Sequence, residues 1–192
     1  MSIVDRVATY EDLMELPEHL VGELIDGELF ASPRPSGRHE RAAGALYILL
    51  RRAFDDGIDG PGGWWIMMEP ELHLGSDILV PDVAGWRREH LPRFPEGAHV
   101  TVAPDWVCEV ISTSSTRLDR VKKLPKYARN GVQHAWIVDP VLRTLELYRH
   151  NGKILEPVDA FTGDVTVRVE PFEAIEINLS TLWVPTPPAP QS

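Results

Sequence analysis

The stretch ILVPDVAGW, residues 78–86, decides how the rest of the chain is read. Apolar residues fill it on both sides of Asp82, as they do in a buried strand. An ionised carboxylate in such a place is costly unless something compensates its charge. The same anomaly recurs in DWVCEVIS, residues 105–112, where Glu109 interrupts a second apolar run. A basic helix-like segment follows, LDRVKKLPKYARNGV at 118–132, with Lys122 and Lys123 side by side. Two strand-borne carboxylates and a nearby lysine are what a divalent metal ion and a phosphodiester substrate would call for. Pro81 cannot donate to a sheet ladder, so Asp82 is expected at an edge, bend or bulge where its carboxylate can turn outward. A strand or turn cap is the competing role for Asp82. A simple alternation that points the side chain to solvent is the competing role for Glu109.

The chain has 192 residues, 43% of them apolar, which suits one domain over 1–184 and leaves a Pro-rich tail, 185–192, expected to be disordered. The N-terminal segment lacks a basic region followed by an apolar one, and no stretch reaches the length of a membrane span. A cytoplasmic protein with no membrane association is therefore expected. Cys108 is the only cysteine, which excludes an internal disulfide and a thiolate metal cluster, and its apolar neighbours predict a buried thiol. A net charge of −10 argues against coating nucleic acid through a broad positive surface. It does not argue against a nuclease, whose metal-binding carboxylates are themselves acidic. Local cations supply candidate phosphate contacts: Arg34, Arg38 and Arg41; Arg87 and Arg88; and Arg117, Arg120, Lys122, Lys123, Lys126 and Arg129.

Local patterns predict the elements. Thr9 to Asp12 resembles a capping box, opening a short helix that ends near Leu16. Leu20 to Ile25 and Glu28 to Ser32 flank Asp26-Gly27, a hairpin turn signal. Apolar residues at helical spacing predict a helix from about Arg38 to Phe54, followed by a glycine-rich loop at 57–63. Strands are expected at about Trp64–Leu74, Ile78–Trp86 and Trp106–Ile111, with 87–104 irregular. A second capping-box pattern at Thr116–Asp119 predicts a helix to Asn130, closed by Gly131 and kinked or split at Pro125. Leu118, Val121 and Ala128 mark its expected buried stripe, with Asp119, Lys123 and Tyr127 forming the adjoining i, i+4 row. Further strands are expected at Ala135–Val138, Thr144–Tyr148, Lys153–Glu156, Asp164–Val169 and Ala174–Ile177. The order helix, three strands, helix, strand implies a mixed sheet flanked by helices, an α+β arrangement with an N-terminal hairpin and a β-rich C-terminal part. Phe161, Phe172, Ile175, Ile177, Leu182 and Trp183 read as an exposed apolar load, and they predict a homodimer.

Other residues point to less. The seven histidines show no zinc-ligand spacing, and Ser112, Ser114 and Ser115 suit capping better than nucleophilic catalysis. Trp64 and Trp65 are adjacent in a strand and belong on opposite faces.

Taken in order, GELIDGEL (22–29), His39, VPDV (80–83), CEVIS (108–112), Asp119, Lys123, Tyr127, Gly131-Val132 and AWIVDP (135–140) resemble the Uma-type restriction-endonuclease-like family over residues 7–183. That family is similar to the PD-(D/E)xK nucleases. The resemblance implies a restriction-endonuclease-like fold and Mg²⁺-dependent (or Mn²⁺-dependent) hydrolysis of phosphodiester bonds in DNA. It implies Asp82 and Glu109 as catalytic metal ligands and Glu23 as a further catalytic carboxylate. The lysine usual two residues after the acid is replaced by Ile111, and Lys123 on the next helix resembles its relocated counterpart. His39, Arg38, Lys122 and Lys126 are then expected at the substrate, although a local hydrogen bond at the helix start is the competing role for His39. Two other classes stay open: an inactive nucleic-acid-binding or protein-interaction module on the same scaffold, and a hydrolase of a smaller phosphate compound.

Overall fold

Asp26 and Gly27 both adopt positive φ, 55° and 77°, the conformation a two-residue hairpin turn requires. They join β1 (Leu20–Ile25) to β2 (Glu28–Pro33). The computed structural model describes residues 7–33, 36–112, 115–116 and 118–185. Arg34, Ser114, Arg117 and the tail from 186 onward lie outside the described residues. Before the hairpin, Thr9 and Asp12 form the expected reciprocal capping box of α1 (Tyr10–Met14). After it comes α2 (Gly37–Leu50), prolonged by a π-helical turn over Arg51–Asp55. Ala42, Leu46, Leu50 and Ala53 recur at helical spacing on its buried face.

Two expected strands each divide in two. Trp64–Leu74 breaks at Glu69, whose φ is 46°, into β3 (Trp64–Met68) and β4 (Leu72–Leu74). Ile78–Trp86 breaks at Val80-Pro81-Asp82 into β5 (Asp77–Leu79) and β6 (Val83–Arg87). The outer halves pair β3 with β6, and the inner halves pair β4 with β5 in another sheet. One long hairpin thus turns a corner, held where the Glu69 amide donates to the Asp82 carbonyl at 3.0 Å. Pro81, having no amide hydrogen, sits where the ladder must stop.

The larger sheet has six strands in the order β10-β9-β8-β7-β6-β3, with β7 (Trp106–Val110), β8 (His134–Asp139), β9 (Thr144–His150) and β10 (Leu155–Thr162). It is mixed: β7 and β8 run parallel and the other neighbours antiparallel. The smaller sheet has the order β2-β1-β5-β4, and β11 (Thr166–Val167) pairs with β12 (Ile177–Asn178). A parallel neighbour needs a crossover, and here it carries the basic segment. That crossover differs from the predicted single helix. Leu118–Lys123 forms a π-helical turn, and α3 (Leu124–Arg129) follows with Pro125 in its first turn, where a missing N–H leaves no bond unmade. The wide turn re-phases the faces, so Val121, expected on the buried stripe, is 60% exposed while Asp119 and Lys123 are buried.

Both faces of the six-stranded sheet are covered, and this decides the fate of Glu109. On one face Trp106, Cys108 and Val110 pack under α2; on the other Val107 packs with α3, β1 and β5. Glu109 therefore meets the α3 layer and not solvent, at 2% exposure. Cys108 is buried as expected. The C-terminal apolar residues are not the exposed load that the sequence suggested. Phe172, Ile177, Leu182 and Trp183 are buried in the α2-side core, with Phe161 and Ile175 packed against it. The observation that motivated a homodimer is thereby removed. No helix among the described residues is long and apolar enough to cross a membrane.

Candidate active site

The corner of the bent hairpin, the centre of β7, the middle of β1 and the π-helical turn meet at one cavity of about 360 Å³. Glu23, Arg38, His39, Glu69, Asp82, Glu109, Asp119 and Lys123 are among its lining residues. Asp82 leaves the ladder at the corner. One of its oxygens accepts from the Val110 amide at 2.6 Å, and the other lies 3.1 Å from Nε2 of His39. His39 stands in the first turn of α2, so its partner lies across the fold and is not the local bond that the helix start suggested. Burial alone would lower the imidazole pKa, but the hydrogen bond and charge of Asp82 outweigh it and the net direction is up.

Lys123 is the hub. Its Nζ lies 2.8 Å from Glu23 Oε1, 2.9 Å from Glu109 Oε1 and 3.8 Å from Asp119 Oδ1, and it donates to the Val80 carbonyl at 3.1 Å. Glu23 Oε1 also accepts from the Val80 amide at 2.8 Å, which ties β1 to the hairpin corner. Tyr127 donates its hydroxyl to Glu109 Oε1 at 2.6 Å, from a position with no solvent exposure. Burial pushes Lys123 toward the neutral amine, yet the charges of Glu109 and Glu23 prevail and hold it as an ammonium. Burial also pushes the Glu109 carboxyl well above its ordinary range; Lys123 opposes this, and Asp119, Asp82 and Glu23 add to it. Surplus negative charge contributes to both directions: five carboxylates line the cavity with one ammonium, one guanidinium and one imidazole, so it holds more negative charge than its own cations balance.

That donor set fits a hard divalent cation. Oxygen ligands of this kind suit Mg²⁺ or Mn²⁺, which need only one or two protein carboxylates and retain waters. Asp82, at the hairpin corner just before β6, and Glu109, on the adjoining strand β7, are carboxylates that could hold it. Among the described residues, no three of the cavity's acidic and histidine side chains bring one ligand atom each within 4.8 Å of one another. The Lys123 ammonium stands between Glu23 and Glu109 and contacts both Glu109 oxygens, so an ion here would share Glu109 with Lys123 and complete its shell with waters.

Of the residues expected at substrate, Arg38 and His39 line the cavity, with Arg38 exposed. The two other lysines do not. Lys126, expected at the substrate, is instead buried, with Nζ 2.8 Å from Asp77 and 2.5 Å from Asp26. It anchors α3 to the β1–β2 turn and to β5. Lys122 lies over Phe30, 3.3 Å from Glu28, on the outside of the hairpin. Several cluster arginines are likewise spent on structure: Arg41 on the Trp183 carbonyl, Arg88 on Asp55, and Arg120 on Glu146. The sequence left Asp119 and Tyr127 without a role. Their signal was the i, i+4 row they share with Lys123.

No curated protein matches the chain. Among solved structures, the crystal structure titled as a putative nuclease belonging to DUF820 from Anabaena variabilis ATCC 29413 is similar in fold, with a TM-score of 0.73. The two are 23% identical, and the match covers 91% of this chain and 96% of that one. The model of the Uma2 family, described as "Putative restriction endonuclease", matches residues 7–181, and the chain belongs to that family.

Proposed function

We propose that the chain is a Mg²⁺-dependent (or Mn²⁺-dependent) endonuclease that hydrolyses phosphodiester bonds in DNA. The observation that carries this reading is the convergence of Glu23, Asp82, Glu109 and Lys123, from four separate segments, on one acidic cavity. A divalent ion held by Asp82 and Glu109 would make a bound water easier to deprotonate and offset charge on the phosphate oxygens. The chain's own groups do the rest. Lys123 holds an ammonium at the site, able to orient the attacking water or stabilise charge that grows in the transition state. Glu23 and Tyr127 fix the geometry of that ammonium and of Glu109, and His39 fixes the Asp82 carboxylate. Arg38 lines the cavity and is exposed, and in this reading it contacts the phosphate backbone.

The deciding experiment is cleavage of supercoiled and single-stranded DNA with Mg²⁺ or Mn²⁺, beside a chelator control and Asp82→Ala. Cleavage that requires the ion and is lost in Asp82→Ala supports the proposal. Binding of DNA with no cleavage under any of these conditions replaces it with the inactive binding module. Two cuts on a duplex call for two sites, so a pair of chains on DNA is part of the proposal. Light scattering with and without duplex tests this part, and a monomer in both would remove it.

A further inference from the structure

The histidines are not all accounted for by the acidic cavity. Val100 forms a parallel bridge with Leu72 of β4, with its amide donating to the Glu71 carbonyl at 2.8 Å and its carbonyl accepting from the His73 amide at 2.9 Å. Leu72 and Val100 are both buried on the core side. Alternation then places Glu71, His73 and His99 together on the opposite, outer face. The contacts agree: His73 Nε2 lies 2.7 Å from Glu71 Oε1, and the rings of His73 and His99 stack 3.9 Å apart. One ligand atom from each of the three lies within 4.8 Å of the others, and among the described residues this is the one such trio. Tyr10 of α1 completes the cluster by donating its hydroxyl to Glu71 Oε1 at 3.0 Å and packing edge-on to His73 at 5.2 Å.

We infer that Glu71, His73 and His99 form a second metal site, separate from the acidic cavity and taking a divalent transition ion of the Zn²⁺ class. Two imidazoles and one carboxylate are borderline ligands that favour Zn²⁺, Co²⁺ or Ni²⁺ over Mg²⁺. Tetrahedral Zn²⁺ with bonds of about 2.0–2.1 Å places its ligand atoms roughly 3.4 Å apart, so the trio must draw in from within 4.8 Å and the stacked His73 and His99 rings must turn until both in-plane lone pairs point at the ion. The ion would take the place of the direct Glu71–His73 contact, with water as fourth ligand and Tyr10 holding the carboxylate from outside. It would fasten α1, β4 and the segment at 98–100 together. Sequence spacing conceals the site, because His99 reaches it through a strand bridge and not through a local motif.

Co²⁺ titration of the full chain in the presence of excess Mg²⁺ tests this, Co²⁺ being a spectroscopic stand-in for Zn²⁺. The expected result is one equivalent of Co²⁺ with the visible d–d absorption of a four-coordinate nitrogen and oxygen site, displaced by Zn²⁺. His99→Gln and His73→Gln should abolish the band and weaken Zn²⁺ binding by more than about 100-fold, given that even outer partners are worth 10–100-fold. Asp82→Ala should keep the band, which separates this site from the acidic cavity. His99 is exposed, so its substitution leaves the fold intact and keeps the test clean. Absence of the band in the unaltered protein, or its survival in both histidine variants, overturns the inference.

Discussion

Lys123 shows how far one residue can depend on its neighbours. Its ammonium is buried against Glu23 and Glu109, so Lys123→Ala would leave those acids facing each other without a counter-charge. We expect a loss of about 3 kcal/mol in stability by urea denaturation, the scale for breaking a buried ion pair from one side. We also expect DNA cleavage to fall by roughly 10²–10³ while metal binding survives, as for removal of one transition-state stabiliser. Full activity in that variant would remove Lys123 from the proposed mechanism. Lys126 is expected to behave differently from a phosphate contact. Because it bridges Asp26 and Asp77, Lys126→Ala should destabilise the protein by about 2 kcal/mol, less than a fully enclosed pair because Asp26 is half exposed. Its effect on DNA binding should show no change in salt dependence; a shallower salt slope would place it back at the substrate.

At the scale of elements, the π-helical turn at 118–123 determines which side chains reach the cavity, and Arg120 holds that turn to β9. Its guanidinium makes two contacts of 2.6 Å with Glu146, and Tyr148 joins them. The hydrogen bond from Arg120 is the main reason that the Glu146 carboxyl is held below its ordinary value of 4.5, against an opposing effect of burial. A carboxyl with a lowered folded pKa contributes stability above its unfolded value, and the contribution fades as pH falls through the folded value. The pair is partly exposed, so its worth is about 1 kcal/mol. Glu146→Gln should therefore cost that much at neutral pH and flatten the decline in stability below pH of about 4.5, measured by denaturation across pH. An unchanged acid limb would mean the pair contributes nothing to holding the turn.

Across the whole molecule, the C-terminal apolar residues close the core from one end. Phe172 has its ring 4.6 Å from Phe54, 5.0 Å from Trp64, 4.9 Å from Trp106 and 5.5 Å from Trp136. Phe172→Ala should destabilise by about 3–5 kcal/mol, since such a site is braced on all sides and collapses poorly. Sedimentation of that variant under native conditions should match the unaltered protein. A change of oligomeric state would restore the C-terminal residues to an interface.

Much was legible from local chemistry alone. The Asp26-Gly27 turn, the capping box at Thr9, the apolar stripe of α2 and the misfit of Asp82 and Glu109 in apolar runs all report backbone rules or desolvation, which act within a few residues. The mixed sheet followed from the order of elements. Tertiary structure alone decided the rest, because it rests on pairings between distant segments. A strand's alternation does not say whether one or both of its faces are covered, so the burial of Glu109 waited on α3. A lysine's row on a helix is lost when a π turn re-phases it, so Lys123 and Lys126 could not be sorted by spacing. Glu71, His73 and His99 come together only through the strand bridge between Leu72 and Val100, a contact for which the intervening residues carry no local signal.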